Sequence, residues 1–383
     1  MHVLRRGRRS LLVLTSLVAA LAAASSGLPA AAKAEPTDPL QQQVDAIHAT
    51  GAVGVSAQVT SRGTRDSAHA GTAESGTRRP MPQNGRFRIG SATKTFTAAV
   101  VLQLVGEGRM SLEDTVEQRL PGVVQGNGND GSRITVRQLL QHTSGIRDVL
   151  PEIPALNSAD GYRRERLRTY TPQELVGMAM RLPPKEFTPG TELSYSNTNY
   201  ILAAMIIQEV TGRSWAQEVN DRIIRPLGLK DTSTPGAFPF VLGSHARAYA
   251  AFGTDTGIDV TALNSTMAVG SGSIVSTTRD LNRFYAALLG GGLLPPAQLH
   301  EMTTTMLAPE LGVRYGLGLG EIELSCGGSY FGHPGNLLGY HAWGGATRDG
   351  TRTAVVYVTS DGGPETQRAM IALVDRELCR TRN

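Results

Sequence analysis

The sequence predicts an α+β fold, in which an antiparallel sheet built from both chain ends and flanked by helices carries an inserted, mainly helical lobe. Three observations point that way. Residues just past position 50 alternate as a half-buried strand does, the long middle of the chain has helical periodicity interrupted by Gly- and Pro-containing loops, and strand-like segments return towards the C-terminus.

Residues 39–49 have an apolar repeat of helical spacing, and Val53, Val55, Ala57 and Val59 then alternate as one face of a strand. Ser61-Arg62-Gly63-Thr64 reads as a turn into a second strand. Phe87-Arg88-Ile89-Gly90 is extended and passes into an apolar helical stretch through Ala98, Val101, Leu102 and Val105, which Gly106 and Gly108 end. Within residues 110–294, Thr171-Pro172-Gln173-Glu174 supplies a capping hydroxyl, a proline at the first helical position and a glutamate placed to cap back. A further helix follows Thr277-Thr278, with Leu281, Phe284, Tyr285 and Leu288 along one side and Gly290-Gly291-Gly292 as its stop. Residues 315–324, 341–347 and 353–359 read as strands, the last two joined through Arg348-Asp349-Gly350, and a final helix is expected over 364–378.

The first 34 residues differ from the rest. Arg5, Arg6, Arg8 and Arg9 precede an apolar run from Leu11 to Ala24 and a small-residue stretch with a cleavage-like Ala32-Lys33-Ala34, the layout of a secretory signal peptide. The run is shorter than the roughly 20 residues that a membrane span needs, so a secreted protein with no stable span is expected. The expected organisation is a leader over 1–34 and one catalytic domain over 35–383, with 35–109 and 295–383 forming its α/β part and 110–294 its helical part. The leader holds five of the basic residues and no acid, so the formal charge of +4 becomes −1 without it. A nucleic-acid partner is therefore not expected. An exported chain with only Cys326 and Cys379 is expected to join them in a disulfide. Neither cysteine has metal-ligand spacing, and neither a metal nor another cofactor is implied. A monomer is expected.

Three short segments can carry chemistry. In Ser91-Ala92-Thr93-Lys94, residues three apart on a helix share a face, so an amine at Lys94 can take the proton of the Ser91 hydroxyl if burial lowers its pKa. Taken alone, such a pattern is usually a helix cap with a solvated lysine. In Tyr195-Ser196-Asn197, a phenol can relay a proton and a carboxamide can hold a substrate amide, although a polar helix start reads the same way. In His333-Pro334-Gly335-Asn336, glycine lets a ligand approach the backbone, and the Asn336 N–H can face a reacting carbonyl; the surface-loop reading stays open. His142 reads as structural. No Gly-x-Ser-x-Gly elbow surrounds any serine, which argues against an α/β-hydrolase.

The ordered set SATK, YSN and HPG resembles the three motifs of the class C β-lactamase and D-alanyl-D-alanine carboxypeptidase superfamily, and the resemblance extends through FRIGSATKTFTAAVVLQLVGEG, ITVRQLLQHTSGI, LSYSNTNY and RYGLGL. It is greatest to secreted actinomycete DD-carboxypeptidases. The resemblance implies a β-lactamase/transpeptidase-like fold, an acyl-enzyme on Ser91, proton transfer by Lys94 and Tyr195, and substrate binding by Asn197, His333, Gly335 and Asn336, with His333 in the place of the third motif's basic residue. It also implies an oxyanion hole made by the N–H groups of Ser91 and Asn336. This chain departs from those carboxypeptidases at Pro334, where they have threonine, at Gly320, where they have arginine, and at Met267, in place of an aromatic wall residue. Recognition of a terminal carboxylate is therefore expected to be weakened. The expected activity is that of a penicillin-binding, D-Ala-D-Ala carboxypeptidase-like hydrolase of peptides or esters, peptidoglycan stem peptides and β-lactams among them. The alternatives are an esterase, a D-aminopeptidase, a β-lactamase or a non-catalytic binder of the same ligands.

Overall fold

The structure, a computed structural model, describes residues 38–253 and 257–380. The expected leader over 1–34 lies outside them.

Asp38 caps helix α1 (Pro39–Ala49), its carboxylate accepting from the Leu40 N–H, and Leu40, Val44 and Ile47 form the buried stripe. Strands β1 (Gly54–Ser61) and β2 (Thr64–Gly71) follow as a hairpin. The C-terminal segment supplies β3 (Met306–Ala308), β4 (Val313–Tyr315), β5 (Gly320–Glu323), β6 (Ser329–Gly332), β7 (Gly335–Leu337), β8 (Tyr340–Thr347) and β9 (Arg352–Val358), then the closing helix α2 (Pro364–Cys379). These make a nine-stranded antiparallel sheet in the order β2-β1-β9-β8-β6-β5-β4-β3, with β7 pairing onto β8. The two chain ends meet in its middle, where Val55 to Ser61 pair with Val358 to Arg352.

The strand period of two decides which core each side chain joins. On β9, Ala354, Val356 and Val358 pack with Val55, Ala57 and Val59 beneath helices α1 and α2, whereas Val355 and Tyr357 face the larger core on the opposite side. That larger core contains the most buried helix of the chain, α3 (Thr93–Gly106), and α4 (Asn197–Thr211), whose apolar side chains point inward on nearly every turn. Helix α5 (Thr278–Leu289), capped by Thr277, lies across β1, β8 and β9 and stacks Phe284 on Phe96 at 3.7 Å between ring centroids.

Two expectations are corrected by this architecture. Residues 315–324 form two strands rather than one, because Gly316 to Leu319 turn between β4 and β5, and Gly318 adopts a φ of +80°. The alternation of Tyr315, Leu317 and Leu319 imitates a strand, but the glycines between them admit the turn. Helix α5 packs on the sheet, with Asn282 Nδ2 donating to the Gln58 carbonyl at 2.8 Å. Thr171 does cap the helix Pro172–Ala179, but Glu174 pairs with Arg168 at 2.5 Å instead of capping back. Cys326, in the β5–β6 connection, and Cys379, at the end of α2, form a disulfide.

Candidate active site

Ser91 sits in the single turn Gly90–Ala92 that leads into α3, after the short strand Phe87–Arg88, which pairs with Val275–Ser276. This turn fixes Lys94 one helical turn along, inside the protein and fully shielded from solvent. Its Nζ lies 3.1 Å from Ser91 Oγ, 2.7 Å from Asn197 Oδ1 and 2.9 Å from the Ser271 carbonyl oxygen. Burial lowers the Lys94 pKa to about 7, against the opposing pull of Asp148. Three oxygens around Nζ suit an ammonium, and two of them can only accept. When the amine is neutral, its two N–H groups go to Asn197 and Ser271, and its lone pair is left facing the one neighbour able to donate, Ser91.

Asn197 is held in that orientation from behind. Its Nδ2 donates to Asp148 Oδ2 at 2.9 Å, and its backbone N–H donates to Asp148 Oδ1 at 3.1 Å. Both ends of the carboxamide are thus engaged, and it does not line the open pocket. Tyr195 lies across Lys94, with Nζ 4.8 Å from its ring centroid, and borders the pocket beside Ser91. Burial raises the phenol pKa, opposed by a hydrogen bond with the Ser91 hydroxyl.

His142 supports Tyr195 from below. It adopts a φ of +61°, is fully buried, places its ring 4.2 Å from the Tyr195 ring, and accepts the Ser196 N–H on Nδ1 at 3.1 Å. Burial first, then Lys94 and His333, holds its pKa well below the usual histidine value, so it is neutral.

The third segment runs along the opposite wall. A Cβ at Gly335 would lie 2.0 Å from the Ile89 carbonyl oxygen, and one at Gly90 would lie 2.6 Å from Asn336 N. Only glycine at both positions lets β7 cross the Ser91 turn this closely, which sets the Asn336 backbone beside Ser91. His333 is buried, and its pKa is lowered to about 3 by burial and then by Lys94. Its Nδ1 donates to the Pro334 carbonyl at 2.6 Å, so Nε2 accepts from the Tyr315 hydroxyl at 2.9 Å. At neutral pH His333 therefore carries no positive charge.

These segments enclose a cavity of about 470 Å³ whose lining includes the polar group Ser91, Tyr195, His333 and Asn336 and the apolar residues Leu311, Val313, Ile322, Trp343, Val358 and Met370. Among the described residues no lysine or arginine lines it, and Gly320 is part of its wall. His341 reaches Asn336 Oδ1 at 3.0 Å through Nδ1 and Asp361 Oδ1 at 3.1 Å through Nε2. Met267 is fully buried in the core and not on the pocket wall, so its expected role there is corrected. Among the described residues no group of side chains could hold a metal ion.

Sequence reasoning did not find Asp148, Ser271 or Tyr315. Asp148 has no periodic or motif signal, Ser271 contributes only a carbonyl, and Tyr315 was assigned to a continuous strand.

The β-lactamase family profile matches residues 40–378, and the chain belongs to that family of serine penicillin-recognising proteins. Among solved structures, a D-stereospecific amidohydrolase from Streptomyces sp. is 41% identical, with a TM-score of 0.82 over 90% of this chain and 98% of that one. The D-amino acid amidase of Ochrobactrum anthropi SV3, complexed with L-phenylalanine amide, is 28% identical, with a TM-score of 0.77 over 88% of this chain and 96% of that one. Penicillin-binding protein 4* of Bacillus subtilis strain 168 is 30% identical over 238 residues, which are 57% of this chain and 48% of that protein. Protein flp of Staphylococcus aureus strain MW2 is 33% identical over 148 residues, 39% of this chain and 28% of the relative, so the match spans less than half of either curated relative.

Proposed function

We propose that this protein is a serine hydrolase that forms an acyl-enzyme on Ser91 and cleaves amides, or short peptides, of D-amino acids. The observation that carries the reading is the Ser91–Lys94 contact at 3.1 Å beside a pocket that no described lysine or arginine lines. Neutral Lys94 takes the Ser91 proton as Oγ attacks the substrate carbonyl carbon, and the oxyanion faces the N–H groups of Ser91 and Asn336. Each such donor is worth roughly 2.7–4 kcal/mol in acyl transfer. Collapse of the tetrahedral species breaks the C–N bond, and the departing amine receives a proton from the Lys94–Tyr195 pair. Water then attacks the ester carbonyl, gives its proton to the same pair, and releases the acid with Ser91 restored.

A pocket lacking a cation for a terminal carboxylate favours an amidase or aminopeptidase over a carboxypeptidase, and the names of the two solved amidohydrolases support the same choice. The kinship with a penicillin-binding protein supports acylation by penicillin as a second property of the same serine. Turnover of D-phenylalanine amide, a D-Ala-D-Ala peptide, a short aryl ester and a cephalosporin in parallel tests this order. The D-amide is expected to lead, and its loss in Ser91→Ala is expected to be complete. Dominance of the D-Ala-D-Ala peptide would restore the carboxypeptidase reading, and undiminished turnover in Ser91→Ala would overturn both. We further propose that residues 1–34 direct export; N-terminal sequencing of protein from culture medium is expected to begin near residue 35.

A further inference from the structure

Among the described residues that line the pocket, one carries a carboxylate, Glu310. Glu310 stands in the turn Pro309–Leu311, just before β4, and is solvent-exposed. Its Oε1 accepts the backbone N–H of Tyr195 at 2.5 Å, which ties the carboxylate to the residue flanking Ser91. Among the described residues it has no ion-pair partner, although many other acids of this chain pair with arginines. An uncompensated carboxylate in a pocket that no described lysine or arginine lines, and that Leu311, Val313, Ile322, Trp343 and Met370 also line, matches a ligand with one ammonium and one apolar group.

We propose that Glu310 binds the free α-ammonium of the substrate, so that the preferred substrates are D-aminoacyl amides or peptides with an unblocked amino terminus and an apolar side chain. The proposal rests on the acyl-serine reading above and adds a specificity-determining residue to it. The Glu310 carboxylate repels a substrate carboxylate at the same mouth, so its charge discriminates in both directions. Because it is exposed in the free protein, the pair it makes is of the modest, salt-screened kind.

Binding can be measured without turnover. Calorimetry on the Ser91→Ala protein with D-phenylalanine amide and with N-acetyl-D-phenylalanine amide is expected to show the free amine binding more tightly at low salt, by about two- to fivefold. This advantage is expected to shrink with added salt and to vanish in Ser91→Ala/Glu310→Gln. Glutamine keeps the acceptor for the Tyr195 N–H, so a merely structural role would leave the preference intact in that variant. Equal affinity for the two ligands, binding of neither, or a preference that survives Glu310→Gln would overturn the proposal. Its failure is separable from that of the acyl-serine reading: loss of D-amide turnover in Ser91→Ala tests the latter alone.

Discussion

At the scale of single residues, the balance at Lys94 sets the pH behaviour. Burial favours the neutral amine and Asp148 favours the ammonium, and the outcome is a pKa of about 7. In the proposed mechanism only the neutral amine accepts the Ser91 proton. Acylation should therefore rise with pH through a limb near 7 and then level off, as stopped-flow rates across pH 5 to 9 would show. Asp148→Asn removes the charge that raises this pKa, so the limb should move to lower pH. A limb that stays in place or moves upward would separate Asp148 from Lys94. The carboxamide of Asn197 connects the two, accepting from Lys94 while donating to Asp148, which places it nearer to a positioning role than to a free ligand for the substrate.

At the scale of elements, the site depends on how closely β7 crosses the turn bearing Ser91. Gly335→Ala would bring a methyl to within 2.0 Å of the Ile89 carbonyl and must push β7 away from Ser91. Losing one oxyanion donor typically costs about 10²–10³ in rate, and a loss of that size with an unchanged circular dichroism spectrum is the expected result. An acylation rate within threefold or so of the parent would refute this role of the crossing. The sequence announced some of these elements and hid others. Ser91 and Lys94 are three apart at the head of an apolar helix, and Val55, Ala57 and Val59 alternate cleanly, so local periodicity carries them. The bend at Gly318 was hidden because Tyr315, Leu317 and Leu319 keep strand period through a turn that tertiary contacts help to hold: Thr95 Oγ1 donates to the Gly318 carbonyl at 2.7 Å. Asp148 was hidden because its meaning lies in a partner 49 residues away, Asn197, and nothing local marks it. Glu310 looked like any surface glutamate in a loop.

At the scale of the molecule, the disulfide ties the β5–β6 connection to the end of α2 across 53 residues. Closing a loop of that length removes unfolded-state entropy worth about 4 kcal/mol in the chain-entropy description. Cys326→Ser/Cys379→Ser should lose stability of that order in guanidinium unfolding, while acylation of Ser91 below the transition stays near the parent rate. Unchanged unfolding would show that the unfolded chain gains nothing from losing the link. The meeting of both chain ends in one sheet has a consequence for biosynthesis. A ribosome that has just added Ser91 needs roughly 10–50 s more to reach Asn336 at ordinary elongation rates, and until then the serine has neither its facing wall nor the strands that hold it. If Ser91 is the nucleophile proposed above, the growing polypeptide carries it in a dormant form until β7 has been made.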